Sequence, residues 1–449
     1  MTQDERIQLF ESLPVPLAVR RQIVPAVISQ MIALVYNLAD TYFVGLLNAP
    51  DQTAAVTVAY PAFLMLTAIA NLFGVGGASA MSRALGRHDA KRAGEISAVS
   101  FWPGLLAAAV YAALFAALQT PILTLTGATG ETLPPAAGYA RWVIVLGGVP
   151  TVMNILLANL VRAEGRAKEA SFGVSLGGVL NILLDPLFIL PRFAGLGAAG
   201  AGLATAISNL VSVLYLLQTV LFRESVIRLS PRLLNTFSAH ARAVLSIGFP
   251  SALQYALTVV AVAAQAKFVS QYPTEAVAAL GITKKLDQLP LYFSIGVSSG
   301  LLPLLAYNHS SGNLERRRAV FRLGAMVSFC FSLACLAAYE AFAPQLASLF
   351  IRDETTIRYA AAFLRRMVTA MPLMSLCYPM IIQFQAMGRA LESLVCSVLR
   401  KGVLDIPLLF LMDAIAPLYG LMWVQPIVDA VSLCVCAALY LRLRRRAAA

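Results

Sequence analysis

Apolar residues run along this chain in blocks of about 20 or more, the length a helix needs to cross a bilayer, each closed by a short polar break. Twelve such blocks occur, at 22–47, 54–82, 95–119, 139–161, 170–190, 198–222, 244–270, 276–306, 321–343, 363–387, 393–412 and 418–441. No segment between them is long enough for a soluble domain. The first 21 residues carry Asp4, Glu5, Arg6, Glu11, Arg20 and Arg21. They lack an apolar core before a cleavage site, so the first block is expected to act as the insertion signal, with no removable leader.

Composition agrees: of 449 residues, 59% are hydrophobic and only 12% charged, outside the range of globular domains. Basic residues favour alternate connections: Arg83, Arg87, Lys91, Arg92; Arg162, Arg166, Lys168; Arg223, Arg228, Arg232, Arg242; Arg316, Arg317, Arg318, Arg322; and the tail Arg442, Arg444, Arg445, Arg446. The other connections hold little beyond Arg192, Arg352 and Arg358. Basic loops stay in the cytoplasm, so a multi-pass protein of the cell inner membrane with both termini cytoplasmic is expected. The net charge of +12 then reflects topology, and no nucleic-acid partner is expected. The six cysteines lie inside apolar blocks without metal-ligand spacing, and His88, His240 and His309 are isolated. No nucleophile or metalloprotease motif occurs, so the chain does not read as an enzyme.

Three stretches repeat in order. PAVISQMIALVYNLADTYFV (25–44) aligns with PSALQYALTVVAVAAQAKFV (250–269), GVGGA (74–78) with GVSSG (296–300), and AEGRAKE (163–169) with AMGRALE (386–392), at offsets of 225, 222 and 223. Six spans per copy is an even number, so the copies share one orientation and are related by an axis along the membrane normal. Lobes 1–222 and 244–449 joined by a cytoplasmic linker at 223–243 are expected.

Two acids break the apolar rule. Asp40 is the only charged residue of 22–47 and Asp185 the only one of its span, and both face leucine or glutamine in the second copy. Intramembrane acids are costly and mark ion or substrate pathways. Asn181 and Asp185 are one turn apart, as are Tyr36 and Asp40, and Ala201 and Thr205. Pro186 removes an amide donor and frees the carbonyl of Ile182, which predicts a kink. At about 1.5 Å per residue, Asp40, Asp185 and Thr205 all fall in the outer half of the membrane. An oxygen-rich pocket follows, suited to Na⁺ at Asp40, Asn181, Asp185 and Thr205, or to proton exchange. The plainer readings are that Asp40 caps a helix break near the interface, that Asn181, Asp185 and Pro186 form a simple helix stop, and that Tyr36 and Thr205 are core residues.

Taken together, YNLADTYFVG (36–45) after Pro25, GVGGASAMSRALGRHDAKRA (74–93), RAEGRAKEA (162–170), NILLDP (181–186) and GAAGAGLATA (197–206) resemble the multidrug and toxic compound extrusion (MATE) transporters, particularly their DinF-like prokaryotic branch. The resemblance covers nearly the whole chain. It implies an all-α membrane protein of twelve transmembrane helices, in two six-helix bundles around a V-shaped cavity. It also implies export of organic compounds by antiport against H⁺ or Na⁺, through alternating access of the lobes. Asp40 and Asp185 would be the coupling carboxylates, with Tyr36, Asn181, Thr205 and Tyr139 around them. Acids that another branch carries in the seventh and tenth spans are absent; Gln265 and Gln385 stand nearest.

The second lobe has its own polar set, with Gln265, Lys267, Lys284 and Asp287 as the expected substrate cavity and Lys285, Asp405 and Asp429 beside them. Lys267 sits near the end of its span, where it could snorkel. Lys284 and Asp287 are three apart on one helix face and are expected to pair, which would keep the cavity near neutral. The alternative function is a flippase for lipid-linked or amphiphilic substrates, which would favour a strongly basic cavity. Expected partners are small organic substrates and the bilayer, with no cofactor beyond the coupling ion and a monomeric functional unit.

Overall fold

A computed structural model describes residues 2–446; Met1 and residues 447–449, the ends of the two expected lobes, lie outside it, as do the side chains of Arg444 and Arg446 in the basic tail. Every regular element among the described residues is a helix. The spanning helices are α1 (Val15–Gly45), α2 (Pro50–Gly86), α3 (Ala90–Ala117), α4 (Leu133–Leu146 with Gly148–Ala163), α5 (Ala167–Ile189) and α6 (Ala198–Leu221). A second set follows: α7 (Phe237–Val269), α8 (Thr274–Ser310), α9 (Leu314–Ser348), α10 (Glu354–Ala386), α11 (Ala390–Val398 with Asp405–Ile415) and α12 (Val424–Arg446). The twelve apolar blocks thus become twelve helices. Helix α7 starts inside the expected linker, and α5 stays helical through Pro186.

Two spans are interrupted. Helix α4 bends by 48° at Gly147, where a π-type turn (Arg141–Leu146) meets Gly147, Gly148 and Pro150, the usual causes of a sharp kink. Helix α11 breaks at Lys401 (φ −140°, ψ 99°) and Gly402 (φ 138°, ψ −76°). That second conformation favours glycine, which has no Cβ to clash. Asp405 secures the break by accepting the Gly402 amide at 2.8 Å.

Helices α1–α6 and α7–α12 form two lobes related by the parallel repeat. The lobes meet where α2 crosses α7 and α1 crosses α8, two crossings that the repeat exchanges. Backbone touches backbone there: Gly248 of α7 lies on the Leu72 carbonyl, and Gly300 of α8 lies against Gln22 and Ile23. Both crossings sit toward the end of the bundle that holds the termini. At that end Ser79 Oγ donates to the Gln385 carbonyl (2.6 Å), Tyr307 Oη donates to Glu11 (2.7 Å) and Arg316 Nε donates to the Phe10 carbonyl (2.7 Å). Toward the opposite end, the last hydrogen bond joining the lobes among the described residues is Asn37 Nδ2 to Tyr292 Oη, at 3.3 Å. The V is closed at the termini and open opposite them.

The RAEGRAKEA stretch ties α1, α6 and the linker together. Arg166 pairs with Glu164 at 3.1 Å and donates to the Thr219 carbonyl at 3.3 Å. Glu164 accepts from Ser225 Oγ and from the Val226 amide (both 2.9 Å), while Gln22 Nε2 donates to the Gly165 carbonyl at 2.7 Å. Glu164 and Arg166 are both buried. Removing one partner of such a pair strands the other charge and costs about 3 kcal/mol. Glu164→Ala should therefore lower the unfolding temperature of the purified protein by several degrees. Glu169→Ala, which removes only a half-exposed partner of Arg166, should change it little; equal shifts would deny Glu164 its anchoring role.

Candidate functional site

Three helices build the N-lobe site. Asn181 and Asp185 stack one turn apart on α5 and are both buried. Helix α1 reaches them because Gly178 lacks a side chain: a Cβ there would lie 2.7 Å from Ile32 Cγ2 and 3.2 Å from Tyr36 Cδ1. The same approach places Tyr36 and Asp40 beside α5. Helix α6 is held by Ser212 Oγ, which donates to the Gly173 carbonyl at 2.8 Å, and its Thr205 Oγ1 accepts from Asn181 Nδ2 at 3.3 Å. From α4, the buried Tyr139 packs against Gly202 of α6. Tyr36, Tyr139 and Asp185 all lie within electrostatic reach of Asp40.

Several of the protein's unpaired buried polar atoms gather at this site. Asp40 Oδ1, Asp185 Oδ1 and Oδ2, and Asn181 Oδ1 are buried and accept no hydrogen bond. Buried polar atoms are otherwise nearly always paired, and each exception calls for an explanation. Four acceptor oxygens from α1 and α5, with the Thr205 hydroxyl alongside, suit two occupants. A proton on one carboxyl would turn an acceptor into a donor for its neighbours. A hard cation such as Na⁺ would take the oxygens as ligands. Among the described residues no group of three or more His, Cys, Asp or Glu side chains converges as a metal site.

A second feature is absent from any sequence pattern. Tyr60 of α2, Tyr255 of α7, Tyr292 of α8 and Tyr378 of α10 join Tyr36 between the lobes, each within electrostatic reach of at least one other. They come from five helices at no common spacing, so only the assembled fold reveals them.

The C-lobe residues divide. Gln265 is buried and donates to the Leu421 carbonyl at 3.4 Å, and with Lys284 it lines a cavity shared with Lys401, Asp405 and Gln425. Lys267 lies apart from this cavity, exposed in the last turn of α7, where its charge complements the helix dipole. Asp287 is half-buried and does not line the cavity. The expected Lys284–Asp287 pair does not close within 4.0 Å. Instead Arg400 Nε pairs with Asp429 Oδ1 at 3.0 Å, the buried ion pair of this lobe among the described residues. Sharing a helix face brought the two side chains near, but Lys284 serves the cavity formed with α11. Arg400, Lys401 and Gln425 were not singled out in the sequence, although two adjacent cations inside an apolar block were a usable signal.

Comparison with known proteins places these features in context. The MatE family model matches residues 25–187 and 250–411, two stretches beginning 225 residues apart as the first repeat segment does. The multidrug export protein MepA of Staphylococcus aureus is 28% identical over 437 residues, covering 97% of this chain and 95% of MepA. Its Staphylococcus saprophyticus counterpart is likewise 28% identical over the same shares. Among solved structures, a MATE transporter in complex with MaL6 superposes with a TM-score of 0.91 at 25% identity, covering 99% of both chains. An outward-facing multidrug resistance MATE transporter of the MOP superfamily gives 0.88 at 26%, covering 99% of this chain and 98% of that one.

Proposed function

The chain belongs to the MatE family, whose members are transporters and not enzymes, and from that premise we propose that it exports small organic compounds in exchange for H⁺ or Na⁺. The observation that carries the coupling role is the set of four unpartnered oxygens on Asp40, Asn181 and Asp185. An ionised pair left bare in lipid is costly, so the arrangement is stable when a proton or cation completes it. Thr205 of α6 and Tyr139 of α4 would orient that ion from the third and fourth sides, with the Tyr36 hydroxyl beside Asp40 on α1.

The closed V then has a direction. Basic connections gather at the end that holds the termini, and that end is the cytoplasmic one in this reading. The lobes 1–222 and 244–449, linked by 223–243, would be sealed inside and open outside, ready to take an ion and release a compound. Opening the inner seal would reverse the access. The tyrosines between the lobes supply aromatic faces for flat organic molecules and organic cations, whereas a flippase would call for a strongly basic central cavity. Both lobes and the ion site lie in one chain, which supports a monomeric unit.

Proteoliposomes loaded with a fluorescent cation test this. Export should appear when either a pH gradient or a Na⁺ gradient is imposed, and the effective gradient names the ion. Export that ignores both gradients would refute ion coupling.

A further inference from the structure

Residues 2–13, which lead into α1, take no part in the ion site, yet they are firmly placed. Thr2 and Glu5 cap one another: Thr2 Oγ1 accepts the Glu5 amide at 3.2 Å and Glu5 Oε2 accepts the Thr2 amide at 2.9 Å. Helical turns then run from Gln3 to Ser12. Arg6, Leu9, Phe10 and Leu13 are buried, and steps of three, four and seven make them one helix face. That face is laid on the other lobe. Phe10, fully buried, stacks on Tyr307 of α8 with ring centroids 4.6 Å apart and planes 9° from parallel. Tyr307 Oη donates to Glu11 at 2.7 Å, and Arg316 of α9 donates to the carbonyls of Phe10 (2.7 Å) and Leu9 (3.3 Å). Toward its own lobe the segment offers the same Glu11, 3.4 Å from His88 Nε2 just past α2.

The segment meets α1 at a joint. Leu13 (φ −60°, ψ 137°) and Pro14 (φ −49°, ψ 135°) are extended, and Pro14, which has no amide hydrogen, keeps the two helical stretches from running together. A segment continuous with the N-lobe is thus fastened to the C-lobe, across the end at which the lobes are closed. Leu9, Phe10 and Leu13 share one apolar cluster with Leu301, Leu305 and Val320 of the C-lobe. Parting the lobes at this end would carry α1 away from α8 and α9. The segment would then have to draw Phe10 off Tyr307 and present it and Leu9 to water, which opposes opening. Resting on the alternating-access reading of export, we propose that residues 2–13 are a latch on the inner gate. Phe10 is the bolt, Tyr307 and Arg316 hold it, and Leu13 and Pro14 are the hinge on which it withdraws. The latch biases the cycle toward the state closed at the termini.

The test is hydrogen exchange on the purified protein, read in residues 72–80 and 244–252 at the closed crossing. Phe10→Ala should speed exchange there by roughly tenfold or more. Arg316→Met, which leaves the segment itself untouched, should act in the same direction, and this keeps the test in force if one variant does not fold. Gln8→Ala, on the exposed side of the segment, should stay within about twofold of wild type. Exchange in residues 201–213 of α6 should not change in any of the three, which separates release of a latch from general loosening. Wild-type exchange at the crossing in both Phe10→Ala and Arg316→Met, or an equal rise in 201–213, would overturn the latch. Export by the same variants in proteoliposomes keeps the two readings apart. Gradient-driven export with unchanged exchange at the crossing overturns the latch alone, whereas export that ignores both gradients, with faster exchange at the crossing, overturns the coupling and upholds the latch.

Discussion

Asp185→Asn should reduce gradient-driven export to the leak rate, and Asp40→Asn should do the same. Asparagine keeps the shape of the side chain but cannot take up a proton or offset the charge of a cation. Asp185 is fully buried with neither oxygen paired, so the substitution also removes a costly buried charge. Folding should survive, with an unfolding temperature at or above that of wild type. The size of the effect follows from the driving force. One elementary charge crossing 100 mV is worth about 2.3 kcal/mol, or roughly a fiftyfold change in accumulation ratio at about 1.4 kcal/mol per factor of ten. If the two acids serve one ion, as proposed, the double variant should export no less than either single one, the non-additivity expected of residues that act as a unit. The measurement is initial export rate in proteoliposomes under an imposed gradient. Wild-type rates in both single variants would remove the N-lobe site from the mechanism.

How far the sequence carried depends on the range of the physics involved. Span length is local, and all twelve apolar blocks became helices. The one-turn spacing of Asn181 and Asp185 is also local, and their shared face followed from helix geometry alone. That Thr205 lies at the depth of Asp185 followed from the rise per residue along each span, and its bond with Asn181 completes the arrangement. Other features depend on partners distant in sequence. The break at Lys401 and Gly402 interrupts an otherwise apolar block and is held by Asp405, so the block reads as one helix until the acid is placed. Lys284 and Asp287 share a face, yet the cavity with α11 and α12 decides where the lysine goes. The five tyrosines are the extreme case: no pair of them shares a helix, and their meeting is a property of lobe packing.

Lobe packing also makes the last expectation. Gly248→Val should prevent the termini end from closing and lower export more than tenfold while the chain stays folded. At the α2–α7 crossing a Cβ on Gly248 would fall on the Leu72 carbonyl, a backbone atom that cannot rotate away as a side chain would. Overpacking of this kind costs about 3 kcal/mol. In the proposed alternating-access cycle that cost falls only on the state in which α2 and α7 touch, since the other state would separate them. A penalty of about 3 kcal/mol on one of two states shifts their ratio by roughly a hundredfold, enough to halt a cycle without unfolding the protein. The pseudo-symmetric crossing should behave alike: a Cβ on Gly300 would sit 2.8 Å from the Gln22 carbonyl oxygen and from Ile23 Cα. Gly281 of α8 has nothing within 4 Å of such a Cβ, so Gly281→Val should export at close to the wild-type rate. Hydrogen exchange reads the mechanism directly, since an opened seal should speed exchange in residues 72–80 and 244–252. Lost export without faster exchange in those segments would mean that Gly248 matters for some reason other than the seal.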